Sequence, residues 1–93
     1  MKRVAIFASG NGSNVENIVN YFKKDKNVDI SLIITNNPKA YVIERANRLN
    51  IPYRIVTKTE LVTENIIIDI MHEYKIDFIV LAGFLLLIPK KPN

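Results

Sequence analysis

The chain contains no cysteine, which excludes both a disulfide framework and any metal site built on thiolates. It has a single histidine, His72, set between Met71 and Glu73 in a helical stretch. That placement reads as a surface or helix-end residue and not as a catalytic imidazole. No apolar segment approaches the roughly 20 residues that a membrane-crossing helix needs. The N-terminal MKRVAIFASG joins a basic pair to an apolar stretch, as a signal peptide does. Here the stretch is short and leads into a polar glycine turn, not a small-residue cleavage site, so it reads as a first strand. The expected compartment is the cytoplasm. What is present is ordinary for one small globular domain: 93 residues, 48% hydrophobic, with mean hydropathy +0.08. Disorder is not expected from such a composition.

The formal charge is +4 and the isoelectric point about 9.5, so the positions of the cations matter. Lys23, Lys24 and Lys26 gather at a helix end and Lys90 and Lys91 near the end of the sequence. Cations are favoured at a helix C-terminus by the dipole. No basic stripe interleaved with aromatics and no nucleic-acid motif accompanies them. The charge reads as solvated surface, and neither nucleic acid nor membrane is an expected partner.

Along the chain, strand-like and helix-like patterns alternate. Arg3 to Ala8 is an apolar strand; Val15, Ile18, Val19 and Phe22 then fall at the i, i+3, i+4, i+7 spacing of an amphipathic helix. Ile30 to Thr35 is a second strand, ended by Asn36-Asn37-Pro38. Val42, Ile43, Ala46 and Leu49 mark a second helix that stops before Ile51-Pro52. Tyr53 to Val56 is a third strand. Thr59 to Tyr74 reads as one long helix with the stripe Leu61, Val62, Ile66, Ile67, Ile70, Met71 and Tyr74. Phe78 to Ala82 is a fourth, almost wholly apolar strand, as suits burial on both faces.

The order βαβαβαβ with right-handed crossovers implies an α/β fold: an open, Rossmann-like parallel sheet, strand order 3-2-1-4, with helices on both faces. Ligands of such sheets bind at the carboxyl ends of the strands where the order reverses, here between strands one and four. The turn Gly10–Asn14 and the pair Gly83-Phe84 both fall at that crevice. Asp25, Asp29, Asp69 and Asp77 are expected on loops or helix faces away from it. Leu85 to Ile88 is an apolar run with no element after it to pair with.

Val4 to Asn14 reads VAIFASGNGSN: a buried strand, a tight polar turn and a helix start. A helix N-terminus offers unpaired N–H groups and the positive end of a dipole, a natural seat for phosphate or carboxylate. Glycines permit close backbone approach. The same residues also suit a helix cap with no ligand, though the concentration of glycine and polar side chains favours an anion. Three phosphate chemistries are disfavoured. A Walker loop needs Gly-Lys-Ser/Thr, and no lysine lies between Arg3 and Lys23. A dinucleotide fingerprint needs a third glycine where Val15 stands, and an acidic residue where the second strand ends in Thr35-Asn36-Asn37. A metal-dependent receiver would place carboxylates where Ala8, Ser9 and Gly10 stand. A neutral nest of N–H and hydroxyl donors remains, suited to a phosphomonoester.

ASGNGSN, SLIITNNPKAYVIERA and IDFIVLAGFLLLIP together resemble the phosphoribosylglycinamide formyltransferase family, and the resemblance runs over essentially the whole sequence. It implies folate-dependent formyl transfer from 10-formyltetrahydrofolate to the amine of 5'-phosphoribosylglycinamide in purine synthesis, without a metal. It places the substrate phosphate on Gly12, Ser13 and Asn14, with Gly10 and Asn11 in support. Folate would lie against Leu85, Leu86, Leu87 and Ile88, and Lys58 matches a basic residue that touches folate in the family.

The family's catalytic Asn, His and Asp follow in a motif resembling Asn-Ile-His-Pro-Ser-Leu-Leu-Pro and beyond, and no residue of this sequence matches them. The resemblance therefore implies that residues 1–93 form the N-terminal, phosphate-binding half of the domain, truncated after strand four and inactive alone. A stand-alone module that binds a phosphorylated metabolite without catalysis is the alternative. An apolar strand four with an open outer edge would also self-associate, through that edge or through Leu85–Ile88.

Overall fold

The computed structural model describes residues 1–8, 13–61, 64–81 and 84–87. In chain order the elements are β1 (Lys2–Phe7), α1 (Ser13–Phe22), β2 (Val28–Thr35), α2 (Val42–Leu49), β3 (Tyr53–Ile55), α3 (Lys58–Leu61), α4 (Glu64–Glu73), β4 (Phe78–Leu81) and β5 (Phe84–Leu87). They form one sheet in the order β3-β2-β1-β4-β5. The first four strands are parallel and in the expected 3-2-1-4 order. The fifth is not what the sequence pattern suggests. β5 runs antiparallel to β4, with Leu81 opposite Phe84 and Phe78 opposite Leu87. Residues 84–87 are thus a strand with a partner, and the outer edge of β4 is covered. The open β4 edge expected from the sequence is thus occupied by β5 of the same chain.

Helices cover both faces. On one, α1 and α2 bury Val15, Val42 and Ala46 against Ile6 and Ile33, with Val80 of β4 packed alongside. On the other, α4 buries Ile70 and Met71 against Ala5, Leu32, Ile34 and Ile79. Successive residues of β4, Ile79 and Val80, therefore serve opposite cores, as strand alternation demands. β2 keeps this alternation only by a bulge. Val4 pairs with Ile30 but Ala5 pairs with Leu32, so Ser31 is the extra residue. It is buried, and its hydroxyl donates to Asp29 Oδ2 at 2.7 Å.

The expected long helix is two. Thr57 caps α3: its Oγ1 accepts from the Glu60 N–H at 3.1 Å, and the Thr57 N–H donates to Glu60 Oε1 at 2.9 Å. This reciprocal capping box starts a helix at Lys58, and a new one starts at Glu64. The apolar stripe survives on α4, where Ile66 and Ile67 lie partly buried beside Ile70 and Met71, with Tyr74 just past its end. Val62, assigned to the same stripe, lies outside the described residues.

α2 and α4 end in the same way. After α2, the Asn50 N–H donates to Asn47 O and the Ile51 N–H to Ala46 O; after α4, Lys75 donates to His72 O and Ile76 to Met71 O. These are Schellman closures. They place Asn50 (φ 59°) and Lys75 (φ 56°) in the left-handed region that glycine normally fills. The residues that follow, Ile51 and Ile76, pack into the two cores and hold the closures down.

Candidate functional site

The carboxyl edge of the parallel sheet is where a ligand of this topology binds, and α1 starts there. β1 ends at Phe7, and the Ala8 N–H extends its ladder to β2 by donating to Ile34 O at 2.8 Å. α1 begins at Ser13. Its first N–H groups have no intrahelical acceptor and point outward at the positive end of the dipole. Val15, only 1% exposed, anchors this turn in the core between Ile6 and Ile33. Of the expected phosphate residues, Ser13 and Asn14 are the first two of α1, so their backbone amides are at its N-terminus. Gly10, Asn11 and Gly12 lie outside the described residues.

Glu16 sits in the first turn of the same helix. Both its carboxylate oxygens are held by guanidiniums from α2: Oε2 by Arg45 Nη1 and Oε1 by Arg48 Nη2. Arg45 in turn lies 5.0 Å from the ring centre of Tyr41. Partial desolvation pushes the Glu16 carboxyl upward, but hydrogen bonding and charge from Arg48 and Arg45 together outweigh it, and the group sits below its ordinary value of 4.5. Glu16 also holds Arg48 more firmly protonated. This triad ties the start of α1 to α2 and carries one net positive charge. Sequence inspection did not single it out. The signal was present, as an acidic residue in a first helical turn and two arginines spaced i, i+3 on the next helix.

At the end of β2, Thr35 is fully buried and its Oγ1 accepts from the Asn37 N–H at 3.2 Å, while Asn37 Oδ1 accepts from the Lys39 N–H at 2.9 Å. These side chains shape a turn.

Of the expected folate residues, Leu85, Leu86 and Leu87 are in β5, opposite Val80, Ile79 and Phe78. Ile88 lies outside the described residues. Lys58 opens α3 just past the carboxyl end of β3.

His72 is remote from this edge. It lies in the last turn of α4, two residues before the reversal that feeds β4 from its amino end. Helices of a parallel sheet run against its strands, so the C-terminal end of α4 lies at the amino edge.

That edge holds Asp77 and Asp29 in a cluster around Arg3. Asp77 Oδ2 accepts from the Arg3 N–H at 2.9 Å and the Asp77 N–H donates to Arg3 O at 2.8 Å. Arg3 Nε donates to Tyr74 O at 2.9 Å, and its Nη1 reaches Asp29 Oδ2 at 3.3 Å. Asp29 lies within strand β2, not on a loop or helix face as expected, but its distance from the crevice is as expected. A cleft of about 250 Å³ lies on the α4 face, lined by Arg54, Ile55, Glu60, Ile66, Asp69 and Glu73. Arg54 is already paired with Glu73 at 2.7 Å, and α1 lies on the opposite face of the sheet. Among the described residues no group of His, Cys, Asp and Glu could hold a metal ion, and no helix is long and apolar enough to cross a membrane.

Comparison with known proteins gives this edge a context. A family described as formyl transferase matches residues 2–92. The phosphoribosylglycinamide formyltransferase of Bacillus subtilis (strain 168) is 38% identical over 93 aligned positions that cover 95% of this chain and 48% of that protein. Among solved structures, glycinamide ribonucleotide transformylase 1 from Geobacillus kaustophilus is 36% identical with TM-score 0.75, over 96% of this chain and 50% of that one. The phosphoribosylglycinamide formyltransferase of Anaplasma phagocytophilum is 34% identical with TM-score 0.76, over 96% and 42%. The chain thus spans about half the length of these relatives. With nearly all of its residues inside the family match, and its sheet superposing on solved members, the chain belongs to the formyl transferase family.

Proposed function

We propose that this chain supplies the phosphate-binding half of a phosphoribosylglycinamide formyltransferase, acting in purine synthesis with 10-formyltetrahydrofolate as the donor. The observation that carries the reading is the coincidence of the sequence SGNGSN with the start of α1 at the carboxyl end of β1, within a family match that spans residues 2–92. In the proposed reaction the glycine amine attacks the formyl carbon. The bond from that carbon to the folate nitrogen breaks, and the proton lost by the amine ends on the leaving nitrogen. The phosphate is the handle that orients this amine: N–H groups of Gly12, Ser13 and Asn14, with Gly10 and Asn11 in support, receive it at the dipole's positive end. Leu85, Leu86, Leu87 and Ile88 supply the apolar and backbone surface for the folate ring.

Formyl transfer also needs a proton acceptor and a donor to the oxyanion. The only imidazole of the sequence is His72, at the amino edge. We therefore expect the 93-residue chain to bind phosphate without turning over. A formyl-transfer assay on the purified chain, its mass verified, tests this; turnover above the uncatalysed rate contradicts it.

The same observation favours a second reading, a binding module for a phosphorylated metabolite with no catalytic role. Titration with 5'-phosphoribosylglycinamide against other phosphomonoesters separates the two. Preference for the former, strengthened by folate, supports the transferase reading, and indifference supports the module. Self-association remains proposed through Leu85–Ile88. Sedimentation at rising concentration checks it, and a monomer throughout contradicts it.

A further inference from the structure

The most unusual charge arrangement outside the anion seat itself is a carboxylate beside it. Glu16 lies in the first turn of α1, three residues past Ser13. A carboxylate there suits the helix dipole but would repel a phosphate arriving at the same turn. The structure resolves the conflict by holding both oxygens of Glu16 in guanidiniums from α2. Arg45, with its side chain only 18% exposed, is fixed from the other side by Tyr41. Arg48, 59% exposed, closes the second oxygen. α2 is itself anchored by Val42 and Ala46, both fully buried. The first turn of α1 is therefore held at two points: Val15 in the core and Glu16 on α2.

We propose that Glu16 is a positioning residue for the phosphate seat: clamped by Arg45 and Arg48, it fixes the direction in which the first N–H groups of α1 point. This rests on the reading of that turn as a phosphate site. It is distinguishable from simple electrostatics because the two give opposite signs. If Glu16 acted only through its charge, neutralising it would remove a repulsion and tighten anion binding. If it positions the turn, neutralising it loosens the helix start and weakens binding.

The experiment is titration of the chain with ribose 5-phosphate, together with amide hydrogen exchange, for the unmutated protein and for Glu16→Gln. The expected result is binding weaker by about three- to tenfold, with faster exchange at Asn17 and Ile18 and unchanged exchange at Tyr21 and Phe22. Glu73→Gln breaks a comparable ion pair, to Arg54 on the other face, and should leave the affinity unchanged. If Glu16→Gln fails to fold, Arg48→Lys decides: it keeps the charge but loses the planar fork, and weaker binding is again expected. Unchanged or tighter binding in these variants overturns the positioning role and leaves the phosphate reading intact, as does an equal loss in Glu73→Gln. No binding by the unmutated chain overturns the phosphate reading, and the role built on it.

Discussion

The two edges of this sheet are made from similar residue types and use them differently. At the amino edge, Arg3 is bonded through its backbone, Nε and Nη1 to Asp77, Tyr74 and Asp29, joining β1 to both its neighbours. These groups are bonded to one another within the fold. At the carboxyl edge, α1 opens with N–H groups that have no helical acceptor, and its acidic residue is drawn sideways by Arg45 and Arg48. On the proposed reading those donors are what a phosphate would take up, whereas the Arg3 cluster is bonded within the fold.

The contrast can be broken from either side. The largest effect is expected at the carboxyl edge: Asn14→Ala keeps the backbone N–H but removes the side-chain amide as a further donor to the proposed phosphate, and should weaken phosphomonoester binding by about tenfold, read by calorimetric titration, while Arg3 and Asp77 keep their contacts. At the amino edge, Asp77→Ala leaves the Arg3 N–H without its acceptor. Denaturant unfolding should show a loss of about 1–3 kcal/mol, with phosphate affinity unchanged; a matching loss of affinity would erase the distinction.

A smaller effect is expected in acid. The Glu16 carboxyl is held below its ordinary value of 4.5. Its contribution to stability is therefore complete above that value and lost as pH falls through the lower, folded one. Unfolding midpoints should drop more steeply between pH 5 and 3 for the unmutated chain than for Glu16→Gln, the two converging at the acid end. The smallest effect tests the backbone alone. Lys75→Gly relieves a left-handed residue at a Schellman closure and should stabilise by about 0.5–1 kcal/mol, with no effect at the carboxyl edge.

The parallel core of the fold was legible because its signals are periodic. Alternating apolar runs and 3.6-residue stripes, joined by the right-handed crossover rule, lead to 3-2-1-4 without reference to any side-chain contact. What escaped was aperiodic. Phe84 to Leu87 is a continuous apolar run, in which alternation cannot separate a strand from a buried tail. The short spacing to β4, only Ala82 and Gly83, was the available hairpin signal. The helix break was hidden because Leu61, Val62 and Ile66 continue a helical stripe, while the deciding feature was the Thr57 to Glu60 capping box. Ser31 could not be recognised as a bulge, since only pairing with β1 shows which residue is extra. At the site, the helix start was readable from ASGNGSN, and α1 begins at Ser13. The Glu16–Arg45–Arg48 clamp joins residues about 30 positions apart, 29 and 32 in sequence, and depends on α1 and α2 sharing a face.

The central claim is that the carboxyl edge at the start of α1, and not the basic or acidic surface elsewhere, is where this chain takes a phosphomonoester. Backbone amide shifts followed during titration with 5'-phosphoribosylglycinamide test it most directly. Saturable shifts concentrated at Gly12, Ser13 and Asn14, with Arg3, Asp29 and Asp77 unmoved, are the predicted result. Shifts that fail to saturate, or that centre on Lys23, Lys24 and Lys26, would contradict it.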